Sequence, residues 1–448
     1  MQVNLTRGNI WKNMIRFSLP YLLSYFLQTL YGLADLFIAG QYNGADVISA
    51  VSIGSQVMHM VTVMIVGLAM GSAVMIGRAV GAEDKKRVRD TIGSTIVLFI
   101  FVAAAAAVLL LVFTRGVVSV LSTPAESVSD TMDYLHICFA GIPFIVAYNV
   151  ISSIFRGMGD SKSPMIFVSI ACAVNIILDI VFMGPLHMRA AGAAWGTVIA
   201  QAVSVLAALF GILRRNTGIK LTQENFRFHR SLMKAILGIG VPIMFQDGFI
   251  QISFLMITVI ANHRGVEISA AVGIVEKTIS FLFLVPSTML STVSTIAAQC
   301  FGARDQKRAE QTLTCGVIIA AALGAFFAVI FQFISKPVFS LFTSDEAVRD
   351  YAVQYMKTYV LDCVAAGVHF PFSGFFSAAG VSILSFVHNI ISVVGIRIPG
   401  AYFATRYFPG TLYAMGLAAP CGSLVSDILC VIFYRHLKTS SRDTKNRT

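Results

Sequence analysis

Positive charge in this chain is confined to alternate gaps between long apolar runs. Of 33 Lys and Arg residues, 24 fall in one alternating set: Arg7 to Arg16, Arg78 to Arg89, Arg156 with Lys162, Arg214 to Lys234, Arg304 to Arg308, and the tail from Arg435. The intervening gaps hold six: Arg115, Arg189, Arg264, Lys336, Arg349 and Arg406. Only Lys277, Lys357 and Arg397 lie inside apolar runs. Lys and Arg collect in the short cytoplasmic loops of membrane proteins. The pattern predicts a chain that crosses a bilayer an even number of times, with both termini cytoplasmic, in the cell (inner) membrane.

Composition narrows the partners. The chain is 56% hydrophobic and 12% charged, against about 25% charged residues in soluble domains. Its net charge of +11 is spread over short loops, where it sets orientation and meets anionic headgroups. No basic face with interleaved aromatics suggests nucleic acid, so membrane lipids are the expected macroscopic partner and nucleic acid is not. The seven cysteines are odd in number and show no CxxC spacing, so neither a disulfide framework nor a metal site is expected. The first apolar run is too long for a removable signal peptide and reads as a retained span.

Apolar stretches of about 20 residues or more fall near 14–39, 48–77, 92–114, 131–155, 164–184, 190–213, 235–261, 268–299, 313–335, 351–378, 383–405 and 412–434. The period-two alternation of a membrane β-barrel is absent. Helices satisfy their own backbone in lipid, so the expected fold is an all-α integral membrane protein of twelve transmembrane helices. The expected divisions are 1–213, a first lobe of six spans; 214–234, a polar cytoplasmic linker; 235–434, a second lobe of six; and 435–448, a basic cytoplasmic tail.

The two sides of the linker repeat each other. Gly81-Ala82-Glu83-Asp84-Lys85-Lys86-Arg87 follows the second span, and Gly302-Ala303-Arg304-Asp305-Gln306-Lys307-Arg308 follows the eighth. Pro20 in the first span is matched by Pro242 in the seventh. Six spans per half is an even number, so the halves share one orientation and are related by a pseudo-twofold axis along the membrane normal, as in parallel-repeat transporters. No GxxxxGK[ST] run is present, so energy for transport would come from a gradient rather than a bound nucleotide.

Ionisable groups inside a membrane are expensive and point to function. The acids inside predicted spans are Asp35, Asp179, Asp247, Glu276, Asp362 and Asp427. Asp35, Asp179 and Thr197 lie at similar depths in spans one, five and six, and Asn175 precedes Asp179 by one turn. If those spans pack together, two carboxylates, an amide and a hydroxyl converge. Such a set suits a shared, exchangeable proton or a small hard cation such as Na⁺. The alternative is that each acid has a single structural partner. Gln28 and Tyr31 share a helix face with Asp35, Gln201 follows Thr197 by one turn, and Asn149 lies in span four. These four are candidate cavity residues, or else interhelical glue. Some of the 34 Phe and 18 Met residues would suit a deformable apolar pocket.

These features resemble the multidrug and toxic compound extrusion (MATE) family: twelve spans in two halves, Pro20 with Asp35 fifteen residues later, Asn175-x-x-x-Asp179 followed by Thr197, and the paired loops at 81–87 and 302–308. The resemblance covers the whole chain. It implies a cation-coupled antiporter, driven by H⁺ or Na⁺, that exports small organic, often cationic and aromatic, compounds by rocking alternating access. It carries the family's first-lobe cation site onto Asp35, Asn175, Asp179 and Thr197, and its first-lobe drug cavity onto Gln28 and Tyr31. A branch of the family also has a Glu eight residues after the helix-7 proline, where this chain has Ile250, with Asp247 nearly a turn earlier. A second-lobe cation site is therefore not expected, and roles for Asp247, Glu276, Asp362 and Asp427 stay open. In the repeat, Asn175 falls near Ile396 and Asp179 near Gly400.

No cofactor is expected beyond the coupling ion, nor any metal beyond Na⁺, and a monomer is the expected state. The rival readings are a lipid-linked saccharide flippase of the same superfamily, which would need a basic cavity, and an integral-membrane enzyme. The sequence holds no HExxH-like spacing for the latter.

Overall fold

Every transmembrane run becomes helix, because only helix pairs the backbone within lipid. The computed structural model of the protein describes residues 5–121, 123–214 and 221–445, with the side chains of 440–445 left aside. Residues 215–220 of the expected linker and 446–448 of the expected tail lie outside the described residues.

The helices are α1 (Ile10–Tyr42), α2 (Ala45–Gly81), α3 (Lys85–Val120), α4 (Val128–Ala140), α5 (Ile142–Gly157), α6 (Lys162–Met183), α7 (Arg189–Arg214), α8 (Arg230–Asn262) and α9 (Val266–Leu282). There follow α10 (Leu284–Gly302), α11 (Gln306–Ser340), α12 (Glu346–Tyr359), α13 (Asp362–Ala379), α14 (Ile383–Ile390), a π-helical turn (Ile391–Arg397), α15 (Ile398–Tyr407) and α16 (Tyr413–Lys445). No strand occurs among the described residues. Among the described residues ten segments are long and apolar enough to cross a bilayer, and up to twelve if each of two bent helix pairs is one span.

Those bent pairs depart from the straight spans expected at 131–155 and 351–378. The segments Ala125–Ala140 and Ile142–Gly157 meet at 48°, and Glu346–Tyr359 meets Asp362–Ala379 at 43°. At the first break Pro143 sits at the start of α5. Its missing N–H removes a bond to the preceding turn, which explains the bend. α13 ends at Gly380, whose φ of +82° closes the helix in the left-handed region.

The described part of the linker is docked, not free. Asn225 accepts from the Thr222 backbone at 2.8 Å and donates to Asp90 Oδ1 on α3 at 2.7 Å. α8 then begins at Arg230 rather than 235.

Backbone proximity divides the chain into two units. The first comprises Met1–Arg7, Ile15–Gly240 and Gly302–Arg304; the second comprises Gly8–Met14, Val241–Phe301 and Asp305–Thr448. In the first unit, Ile76, Tyr148, Phe155, Phe167, Val168 and Ala208 belong to one apolar cluster. Arg189 closes one end of this unit: it binds Asp46 at 2.5 Å and Asp130 at 2.6 Å, tying the first turns of α2, α4 and α7. In the second unit, Val275, Ile279, Phe331, Tyr355, Tyr359 and Leu412 share a core cluster. α3 leaves Ile100, Phe101, Val108, Leu109, Val112 and Phe113 exposed, an apolar face that suits contact with lipid.

The repeat is visible in hydrogen bonds. Asp84 accepts from Arg87 N at 2.9 Å to start α3, and Asp305 accepts from Arg308 N at 2.9 Å to start α11. Thr91 and Thr312 each bond the carbonyl four residues earlier. All these pairs stand 221 positions apart, as do Lys162 and Ile383, the first residues of α6 and α14. A π turn accommodates one additional residue in a helix, and Ile391–Arg397 is such a turn.

Candidate functional site

α1, α6 and α7 build the acidic cluster of the first unit. α1 runs through Pro20, which leaves a gap in the helix ladder. The gap lies at the Arg16 carbonyl, and one turn on Ser24 Oγ donates to the Pro20 carbonyl at 2.9 Å. α6 and α7 approach closely because Gly192 and Gly196, spaced small-xxx-small, face α6. A Cβ at 192 would press on Phe182 and Met183, and one at 196 would collide with Asp179 Oδ1. Gly196 thus makes the space that Asp179 fills.

Asp35, Asn175 and Asp179 are 2%, 1% and 0% exposed. Asp35 lies within reach of Asp179, Asn175 and Thr197. Yet Asp35 Oδ1, both Asp179 oxygens, both Asn175 amide atoms and Thr197 Oγ1 complete no hydrogen bond among the described residues. Among the described residues no Lys or Arg acts on either carboxylate. Buried oxygens without a donor are costly. A proton or a small hard cation among them would meet that need, and the oxygen-only donor set fits either.

The polar stripe continues from this cluster. Tyr31 is half-buried beside Asp35 and within reach of Gln201. Gln28, also half-buried, reaches Tyr148. Asn149 behaves differently: its amide donates to Ile145 O at 2.8 Å on its own helix, a local structural bond. Sequence reading missed Tyr134 and Cys138, which lie close enough to Asp35 to feel its charge. Tyr134 shares a 3.3 Å hydrogen bond with Ser55. Neither residue carries a sequence signal; for Gly196 the signal was the Gly192-x-x-x-Gly196 spacing. Arg156, expected in a loop, is buried at the end of α5, where it donates to Tyr21.

The second unit has a cluster of a different kind. Glu276 on α9 accepts from Tyr355 at 3.1 Å and from Tyr359 at 3.4 Å, both on α12. Arg397, 6% exposed, donates to the Tyr359 hydroxyl and lies 4.8 Å from the Phe254 ring centre. Asp362 is fully buried nearby, and its oxygens complete no hydrogen bond among the described residues. Tyr355 and Glu276 stand 221 positions after Tyr134 and Ser55, so one buried pair recurs with a carboxylate in place of a hydroxyl. The π turn Ile391–Arg397 covers the stretch where the repeat of Asn175 falls, near Ile396 and next to Arg397. Asp35 and Asp179 have no Lys or Arg acting on them among the described residues, whereas Arg397 reaches Glu276 through the Tyr359 hydroxyl. Asp427 pairs with His369, and Asp247 sits half-buried between Phe245 and Phe249, whose rings lie 6.4 Å and 6.0 Å from Phe386.

Comparison with known proteins agrees with this duplicated plan. The MatE family model matches twice, over residues 20–181 and 242–403. The probable multidrug resistance protein YoeA of Bacillus subtilis (strain 168) is 23% identical over 447 residues, covering 98% of this chain and 96% of that protein. The probable multidrug resistance protein YpnP of the same organism is 26% identical over 435 residues, covering 97% and 96%. The outward-facing structure of a multidrug resistance MATE family transporter of the MOP superfamily superposes with a TM-score of 0.92 at 22% identity, with 99% of each chain covered. The all-helical fold is shared with that structure, and the two matches of one family model, laid over both halves, establish that this chain belongs to the MatE family, a family of transporters and not of enzymes.

Proposed function

We propose that the protein is a cation-coupled antiporter that exports organic, cationic or aromatic compounds across the cell membrane by rocking alternating access. The observation that supports this most directly is the set of buried oxygens of Asp35, Asn175, Asp179 and Thr197, gathered from three helices with, among the described residues, no Lys or Arg acting on the two carboxylates. H⁺ or Na⁺ is the coupling ion this donor set admits. Gln28, Tyr31 and Gln201, next to Asp35, line the substrate's side of the same cluster. Binding at Asp35 and binding beside Tyr31 then oppose each other through the position of α1, and antiport requires such a coupling, typically about 1–3 kcal/mol. The names of YoeA and YpnP as probable multidrug resistance proteins support the substrate class.

The protein works as a monomer with both termini and the 214–234 segment cytoplasmic, its basic loops against anionic lipid headgroups. The test is dye transport in proteoliposomes. An imposed proton or Na⁺ gradient should concentrate a cationic aromatic dye against its own gradient, and collapsing the active gradient should stop it. Dye movement indifferent to both gradients overturns the antiport reading. Lipid turnover without dye movement identifies a flippase instead.

A further inference from the structure

Three helices of the second unit meet around a buried hydrogen-bonded group that the coupling site does not use. His369 on α13 places Nδ1 at 3.2 Å from Asp427 Oδ1 on α16. His388 on α14 places Nε2 at 2.9 Å from Ser373 Oγ and Nδ1 at 3.2 Å from Ser426 Oγ. The two imidazole rings are 5.9 Å apart. His369 and His388 are 4% and 0% exposed.

The hydroxyls determine the state of His388. Ser426 Oγ donates its one hydrogen to the His388 carbonyl at 3.2 Å. Its oxygen can then only accept from the ring, so His388 carries its proton on Nδ1, and Nε2 accepts from Ser373. That imidazole is neutral with both nitrogens occupied. His369 differs. Its Nδ1–H faces a carboxylate, and an added proton on this ring makes an ion pair with Asp427 at the same distance. Because the rings are neighbours, only one of the two can carry charge without repulsion.

The fold does not require polar groups here. His369 and His388 stand 221 positions after Tyr148 and Phe167, which pack with Phe155 and Val168 in the apolar cluster of the first unit. The same places in one repeat are filled by aromatic packing, and in the other by two imidazoles and a carboxylate partner. Burying these groups is costly, and intramembrane ionisable groups mark function.

We propose that His369 and Asp427 form a proton-binding site of the second half, separate from Asp35 and Asp179, with His388 held neutral beside it. Its ligand is H⁺. Protonation turns the hydrogen bond from a neutral imidazole on α13 to the α16 carboxylate into an ion pair, and so changes how tightly those helices hold each other. The charged and titratable groups around it are few. α13 adds Asp362, two turns before His369, which acts on Asp427, and α16 adds Cys430. Among the described residues α14 adds His388, and α8, which packs Phe245 and Phe249 on Phe386 of α14, carries Asp247. α10 and α11 meet α13 through Leu290, Ser294, Gly316, Ala320 and Ala321. The ion pair of Lys438 with Glu310 lies farther along α16, beyond Tyr434.

The test is ¹⁵N-histidine NMR of the full-length protein in lipid nanodiscs, in wild type, Asp35→Asn, His369→Gln and Asp427→Asn. Across the pH range in which the protein stays folded, one signal should change with pH in wild type and equally in Asp35→Asn, which separates this site from the proposed coupling site. The signal should be missing in His369→Gln. Asp427→Asn, which keeps shape and a hydrogen-bonding group, should move its midpoint by about one pH unit, a tenfold change in proton affinity. A His369 signal that stays constant across that range, or a midpoint the same in Asp427→Asn as in wild type, overturns the proposal.

Discussion

Arg156 stacks on Tyr21: its guanidinium carbon lies 4.1 Å from the ring centre, and Nη1 donates to the hydroxyl at 2.6 Å. Tyr21 follows Pro20 directly, so a buried cation on α5 grips α1 at its weakest point. Tyr21→Phe keeps the ring and removes the hydroxyl. It should cost about 1.5–3 kcal/mol, the worth of a hydrogen bond to a charged group. Unfolding of the purified protein measures it; unchanged stability would mean that Arg156 is held elsewhere.

Asp35→Asn and Asp179→Asn should each abolish concentrative dye efflux while the protein still inserts, because removing an intramembrane charge does not weaken the fold much. Gly196→Ala should impair efflux in the same way, since its methyl group takes the space of Asp179 Oδ1. Full pumping against a gradient by Asp179→Asn would sink the coupling role.

Arg397→Ala leaves Glu276 with two tyrosine hydroxyls and no cation. Taking counter-charge away from a buried carboxylate is destabilising, although here Arg397 acts through the Tyr359 hydroxyl. The double variant Arg397→Gln with Glu276→Gln should recover much of that stability. A double variant no more stable than Arg397→Ala would show that Arg397 does not serve to balance Glu276.

Asp84→Ala and Asp305→Ala should lose similar stability, about 1 kcal/mol each, because the two caps are repeats of one another at 2.9 Å. Thermal unfolding of the two single variants decides it, and widely unequal losses would mean that the loops have diverged in role.

Orientation can be read on intact cells lacking Cys421, the one exposed native cysteine among the described residues. Both test positions, His187 and Arg227, are exposed. An impermeant thiol reagent should label His187→Cys and spare Arg227→Cys. The reverse pattern would invert the topology.

The sequence revealed most about what is rare in a membrane interior. Asp35 and Asp179 are legible because a carboxylate in an apolar run has few innocent explanations, Asn175 followed from helical spacing, and Thr197 from its depth in the sixth span. The paired loops showed the duplication. What stayed hidden depends on side-chain direction. Asn149 looked like a cavity residue and spends its amide on its own helix. Arg156 looked like a loop cation and is buried, since one turn of helix separates exposure from burial. Tyr134 and Cys138 are ordinary apolar-run residues until packing sets them beside Asp35. Glu276 and Arg397, joined through Tyr359, stand 121 positions apart, and nothing local in the chain links them.

The π turn at Ile391–Arg397 makes the two halves copies that have slipped out of phase. A single inserted residue, absorbed within one turn, leaves both flanking helices in place and changes which side chain points inward. The duplicated halves are for that reason no longer interchangeable parts. Grafting α6 onto the 383–407 segment would keep the fold's outline, yet it would remove the guanidinium that reaches Glu276 through Tyr359.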